Sequence, residues 1–102
     1  MLILIPVKGS DPKEALIAPR MEAEQWALVD FDAGEVRSVT FHPDWDRTGA
    51  DWIDFAVLEN RFENAMDLME AGMMVLARRE GQDTIELVIE GFKFKELDEI
   101  GF

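Results

Sequence analysis

His42 is the only imidazole in the chain, and three carboxylates, Asp44, Asp46 and Asp51, follow it closely in sequence. A ring that titrates near neutrality can ligate a metal cluster, relay a proton or sense pH. Arg37 and Arg47 bracket it, and together with Arg20 they would offset the charge of an anionic ligand if they gathered around the ring. His42, Arg37 and Arg47 are therefore the candidate binding residues. The competing reading is a surface histidine at a strand end, and the sequence leaves both open. Asp44-x-Asp46-x-Thr48-Gly49 resembles the first half of a calcium loop, in which alternate oxygen ligands precede a glycine. That makes Asp44 and Asp46 candidate ligands for a hard cation. Against it, the twelfth loop position would be Phe55 rather than glutamate, and no helices flank the segment. A solvated acidic loop with Trp45 and Trp52 tucked against the core is the alternative expectation.

The rest of the inventory removes most chemistry. With no cysteine there is no thiol nucleophile, disulfide or thiolate cluster site, and one histidine cannot build a multi-histidine metal centre. Ten basic residues against twenty-two acidic ones give a formal charge of -12, which opposes nucleic acid and anionic membrane surfaces. Lys8-Gly9-Ser10-Asp11 has one glycine, and an acid where a phosphate would sit. No Gly-x-Ser-x-Gly elbow occurs. Carboxylates are so many that any pair picked for acid–base work is uninformative. The expectation is a protein without catalytic activity.

These residues need a scaffold, and 102 residues suit one domain spanning 1–102. Apolar residues make up 48% of the chain, too many for a disordered acidic tail. Residues 2–7 are almost unbroken aliphatics, as in a strand covered on both faces. The run is short and lacks a basic leader, so it reads as a first strand rather than a signal peptide. Nothing later approaches a membrane span, and a cytoplasmic location is expected. Residues 13–24 read as loop with one helical turn near 14–17, interrupted by Pro19. Residues 26–31 and 36–42 form a hairpin around Asp32-Ala33-Gly34-Glu35, where Gly34 is free to take positive φ.

Residues 53–58 predict another strand. Phe62, Ala65, Met66 and Met69 recur at helical spacing and predict a helix over 60–72, closed by Gly72. Residues 73–77 follow as a buried strand, completing a βαβ unit. Asp83-Thr84-Ile85-Glu86 fits a capping box with Asp83 as the cap, ahead of a helix through Ile85, Val88, Ile89 and Phe92. The alternation of Ile85, Leu87 and Ile89 keeps a strand open as the rival. The tail, with Phe94, Leu97, Ile100 and Phe102, suits packing on the sheet edge or on a partner. The fold class is thus α/β, a single small domain whose mixed sheet holds an N-terminal strand, a hairpin and a βαβ unit.

In their order, Met1-Leu2-Ile3-Leu4-Ile5-Pro6-Val7, Trp26-Ala27-Leu28-Val29-Asp30, Gly34-Glu35-Val36-Arg37-Ser38-Val39, Ile53 to Leu58 and Leu68 to Val75 resemble the dinitrogenase iron–molybdenum cofactor-binding family. That resemblance implies a ribonuclease H-like domain associated with cofactor carriage. It also implies an iron–molybdenum or iron–sulfur cluster as the ligand, although a domain with no cofactor stays equally open. Three segments depart from the family pattern. Residues 17–24 lack its Phe-Gly, residues 43–51 are too short for its loop plus a helix, and Glu59-Asn60-Arg61-Phe62 replaces its glycine-rich turn. A missing helix would leave one sheet face in need of cover from the loop tryptophans, from 13–24, from the tail or from a second subunit. A homodimer or another protein partner is accordingly expected.

Overall fold

Ile3, Ile5 and Val7 leave one side of the first strand and Leu4 the other, and all four are fully buried, so this strand runs through the middle of a sheet with two cores. The computed structural model describes residues 1–100. Its elements are β1 (Leu2–Lys8), β2 (Leu16–Ile17), β3 (Gln25–Asp32), β4 (Glu35–His42), β5 (Phe55–Leu58), α1 (Met66–Glu70), β6 (Met74–Ala77), α2 (Ile85–Lys93) and β7 (Asp98–Glu99). A short 3-10 turn covers Trp45–Arg47. The sheet runs β4-β3-β1-β5-β6-β7, with β2 also paired to β1. β1, β5 and β6 are parallel, and β3, β4 and β7 are antiparallel to their neighbours. The predicted mixed sheet, hairpin and βαβ unit are all present. Pro6 is tolerated in the central strand because only its carbonyl is used there, by the Ala18 N–H at 3.0 Å.

α2 covers one face through Ile85, Val88 and Ile89, over Ile3, Ile5, Val29 and Val57. Its helical period prevails over the strand alternative because Leu87, the residue that only the alternating pattern needs inside, is exposed. Thr84, not Asp83, is the N-cap: its hydroxyl accepts the Leu87 N–H at 3.2 Å. Asp83 is drawn away by Arg78, at 2.7 Å.

The other face is covered by α1 together with Trp26, Ile53 and Met73, with Trp45, Ala50 and Ile100 packed around them. The cover expected from a tryptophan and the tail is therefore supplied within the chain. Trp52 differs from expectation: it is 60% exposed, and its ring lies over Gly72.

The predicted 60–72 helix is far shorter, five residues at Met66–Glu70. Two Asx turns hold its first half out of the helix. The Asn60 side chain accepts the Phe62 N–H at 2.9 Å, and the Asn64 side chain accepts the Met66 N–H at 3.0 Å. Phe62 consequently points outward, 84% exposed, and Leu68 becomes the helix's buried residue. Gly72 ends the helix at φ 94, as its position predicts.

The helical turn expected at 14–17 is also replaced. A turn closed on the Asp11 carbonyl by the Glu14 and Ala15 N–H groups precedes it, and Leu16–Ile17 then pairs with β1. In the β3–β4 hairpin both Ala33 and Gly34 have positive φ, 52 and 80, the signature of a primed turn. The tail packs as foreseen on the sheet edge, where β7 pairs with β6. Leu97 and Ile100 join the two cores, whereas Phe94 is exposed. Phe102 lies outside the described residues.

Candidate functional site

The parallel strands β1 and β5 end at the same edge of the sheet, where the antiparallel β3 begins and β4 finishes. In open α/β sheets ligands enter at the carboxyl ends of the strands, because the connecting loops there leave a crevice. An open cleft of about 650 Å³ occupies this place, lined by Pro19, Arg20, Met21, Trp26, Trp45 and Phe62 among others. Trp26 and Trp45 belong to the α1-side core, so the cleft is the outer end of that core rather than a separate hollow.

One wall is the segment after β2. The Ala18 N–H on the Pro6 carbonyl ties it to β1, and the Pro19 carbonyl closes a turn by accepting the Glu22 and Ala23 N–H groups at 2.9 Å. That turn presents Arg20. Its guanidinium donates to both carboxylate oxygens of Asp67, at 2.8 and 2.6 Å, and to the Asn64 carbonyl at 2.6 Å. It also lies over the Trp26 ring, 5.4 Å from the centroid. The hydrogen bond to Asp67 raises the Arg20 pKa above its ordinary value, against the opposing effect of burial. The same bond holds the Asp67 carboxyl below the usual carboxylate range.

Glu63 links the two walls. One oxygen accepts the Arg20 N–H at 2.6 Å and the other accepts the Asn60 N–H at 3.2 Å. The cleft therefore has an apolar floor, a rigid cation already paired and a carboxylate with both oxygens engaged. Such a lining suits holding a ligand more than activating one. Met21, wholly exposed, and the exposed Phe62 both line the cleft.

A second ion cluster lies beyond β5 and β6. Arg78 donates to Glu59 at 2.8 Å and to Asp83 at 2.7 Å, which ties the strand ends to the start of α2. Hydrogen bonds from Asn60 and then Arg78 lower the Glu59 pKa. This group fixes the scaffold behind the cleft.

The structure brings some of the sequence candidates to this edge and not others. His42 pairs directly with Trp26 across β3 and β4, so its ring leaves the sheet on the same face as the cleft's floor. It stands beside the cleft without lining it, with Nε2 2.8 Å from the Thr40 hydroxyl. Arg37 lies five residues back along β4, about 17 Å away at the strand rise, and pairs with Asp32 at 3.2 Å. Arg47 pairs with Asp44 at 3.6 Å, and Asp46 sits in the same 3-10 turn. Among the described residues no group of three histidine or carboxylate side chains stands where it could hold a metal ion. The Arg20–Asp67 latch is the feature that sequence reasoning misses. The signal available was Arg20 placed directly after Pro19, a basic residue presented by a fixed turn.

No helix among the described residues is long and apolar enough to cross a membrane. No family model and no curated protein matches the sequence. Solved structures do share its fold. A Thermotoga protein assigned to NifB and to the DUF35 family aligns with 99% of this chain and 95% of its own, at 23% identity and a TM-score of 0.69. A Methanocaldococcus jannaschii protein assigned as a dinitrogenase aligns over 99% of this chain and 95% of its own, at 15% identity and a TM-score of 0.75. The chain is thus similar in fold, along nearly its whole length, to a protein assigned to NifB and to one assigned as a dinitrogenase.

Proposed function

We propose that this chain is a non-catalytic binding domain that carries an iron–molybdenum or iron–sulfur cluster as releasable cargo at the carboxyl edge of its parallel strands, with His42 as the ligand. The observation that supports it most is the position of His42: the chain's one imidazole stands beside Trp26, at the edge where this sheet architecture receives ligands. The fold likeness to proteins assigned as NifB and dinitrogenase points the same way. A resident metal does not fit, because among the described residues the donors never gather in threes and the chain has no thiol. Cargo sets a lower requirement, since a delivery protein must release what it holds and a single imidazole permits that. The overall charge of -12 works against an anionic cluster, so Arg47, or Arg20 freed from Asp67, would have to turn toward it. Anaerobic incubation with a synthetic [4Fe–4S] cluster, desalting and metal analysis test this reading. The expected result is near-stoichiometric iron in the native chain and none after His42→Ala. Equal retention by both, or by neither, refutes it.

A second reading, a protein-interaction module with no cofactor, draws support from Met21 and Phe62, large apolar side chains exposed in the lining of the cleft. It predicts no cluster uptake by the native chain, and loss of partner binding after Phe62→Asp.

A further inference from the structure

The sheet has two edges, and the chain treats them differently. At one end β7 is two residues long and both are acidic, which blunts the edge against further pairing. At the other end β4 is eight residues long, and among the described residues nothing pairs with its outer side. The Phe31 N–H reaches the Met1 carbonyl on β1, so alternate residues of β3 turn inward and Trp26, Leu28 and Asp30 turn their backbone groups toward β4. Their partners His42, Thr40 and Ser38 are bonded inward in consequence. Val39 and Phe41 are left with N–H and C=O groups pointing away from the sheet.

That free edge complements itself. In a chain of which 31% is charged, residues 38–42 carry no acid and no formal cation. Under a two-fold axis at Thr40, Val39 of one copy meets Phe41 of the other, and each pair exchanges both backbone bonds. On one face Val39 and Phe41, both half-buried beside the α2-side core, extend that core toward their counterparts. On the other face Thr40 meets Thr40, and Ser38 meets His42, with no like charges opposed. The charged part of the strand falls outside this register, because Arg37 sits in the bulge and is held by Asp32.

We infer that β4 is a homodimerisation edge, joining two copies in antiparallel register about Thr40 into one continuous sheet. The pairing is independent of the carrier reading and requires no metal. Its area is small, so the dimer is weak and forms between about 10 µM and about 1 mM chain. Each copy has a net charge of -12, so added salt tightens the association, the reverse of an interface built on ion pairs.

Sedimentation velocity of the metal-free protein across that concentration range, with amide hydrogen exchange on the same samples, tests the inference. A reversible dimer is expected, in which the Val39 and Phe41 amides gain protection with concentration while those of Thr40 and Ser38 are protected throughout. Val39→Pro removes one outward donor per copy and weakens the dimer by about tenfold or more. Thr40→Lys is an exposed change that needs no refolding of the strand. It sets like charges opposite each other across the axis and weakens the dimer by about fivefold or more. Because it also lowers the net charge, generic association would rise instead of falling. A monomer at every concentration overturns the inference, as does a dimer unaffected by Thr40→Lys or free exchange at Val39 and Phe41.

Discussion

Breaking the Arg20–Asp67 latch should loosen the cleft and lower stability by an amount set by how wet the pair is. Asp67→Asn keeps the side chain's shape and removes its charge, and Arg20→Ala removes the cation. Hydrogen bonds to charged groups contribute about 1.5–3 kcal/mol when shielded, and fully exposed ion pairs about 0.2–1 kcal/mol. Arg20 is 19% exposed and Asp67 46%, with two short bonds between them, so the expected coupling lies between these limits, about 1 kcal/mol. Arg20→Ala should cost more, about 2 kcal/mol, because it also leaves the Asn64 carbonyl unbonded and uncovers Trp26. A double-mutant cycle in urea, followed by tryptophan fluorescence, separates the coupling from these side effects.

The pH dependence gives the sign. The folded Asp67 pKa lies below its unfolded value, so the latch contributes fully above the unfolded value, near about 3.9. That contribution disappears as pH falls through the folded pKa. The native chain and Asp67→Asn should thus differ at pH 7 and converge in strong acid. A coupling under about 0.3 kcal/mol, or a gap that does not shrink as pH falls, would refute this account of how the cleft wall is held.

Three further substitutions probe the scaffold. Leu68→Ala, at the buried residue of α1, should cost about 2–5 kcal/mol through cavity formation, seen as a lower urea midpoint at unchanged slope. Gly72→Ala should cost about 1–2 kcal/mol from its left-handed backbone alone. It also places a Cβ 2.7 Å from the Trp52 ring, so adding Trp52→Ala should recover the contact cost and leave the backbone cost. Thr84→Ala, which removes the α2 cap, should cost about 1 kcal/mol by thermal or urea unfolding, and no change would mean that Asp83 can take its place.

The strands were legible because their signals are local and redundant. Residues 2–7 are aliphatic on both faces, and residues 26–42 alternate around a glycine turn, so tertiary context had little to override. The segment 60–72 misled for an equally local reason. Apolar spacing there matched a helix, but Asn60 and Asn64 offered their side chains to nearby N–H groups and held the chain in turns until Met66. The rule that placed Phe62 inside counts period and ignores this competition. At 14–17 the decisive partner was remote: Leu16–Ile17 becomes a strand because β1 has a free side there, and the Ile17 N–H finds the Asp83 carbonyl.

The site was harder to read than the fold because its parts are distant in sequence and ordinary in type. An arginine, an aspartate 47 positions later and a tryptophan between them carry no motif, and only the meeting of the ends of β1 and β5 with the start of β3 at one edge brings them together. His42 stood out by rarity, but its alignment with Trp26 was not legible: the turn alone would set Trp26 opposite Phe41, and the bulge at Arg37 shifts the register by one. Arg37 could have been excluded by strand geometry alone. It precedes His42 by five residues on one strand, about 17 Å at the strand rise, too far for both side chains to reach a common ligand. Any cation that helps His42 must come from another element. The structure leaves that part to the 3-10 turn with Arg47 and to the Pro19 turn with Arg20, both already held by carboxylates. Binding an anion at this edge therefore begins with breaking an ion pair, which is why Asp67→Asn should strengthen cluster uptake even as it weakens the fold.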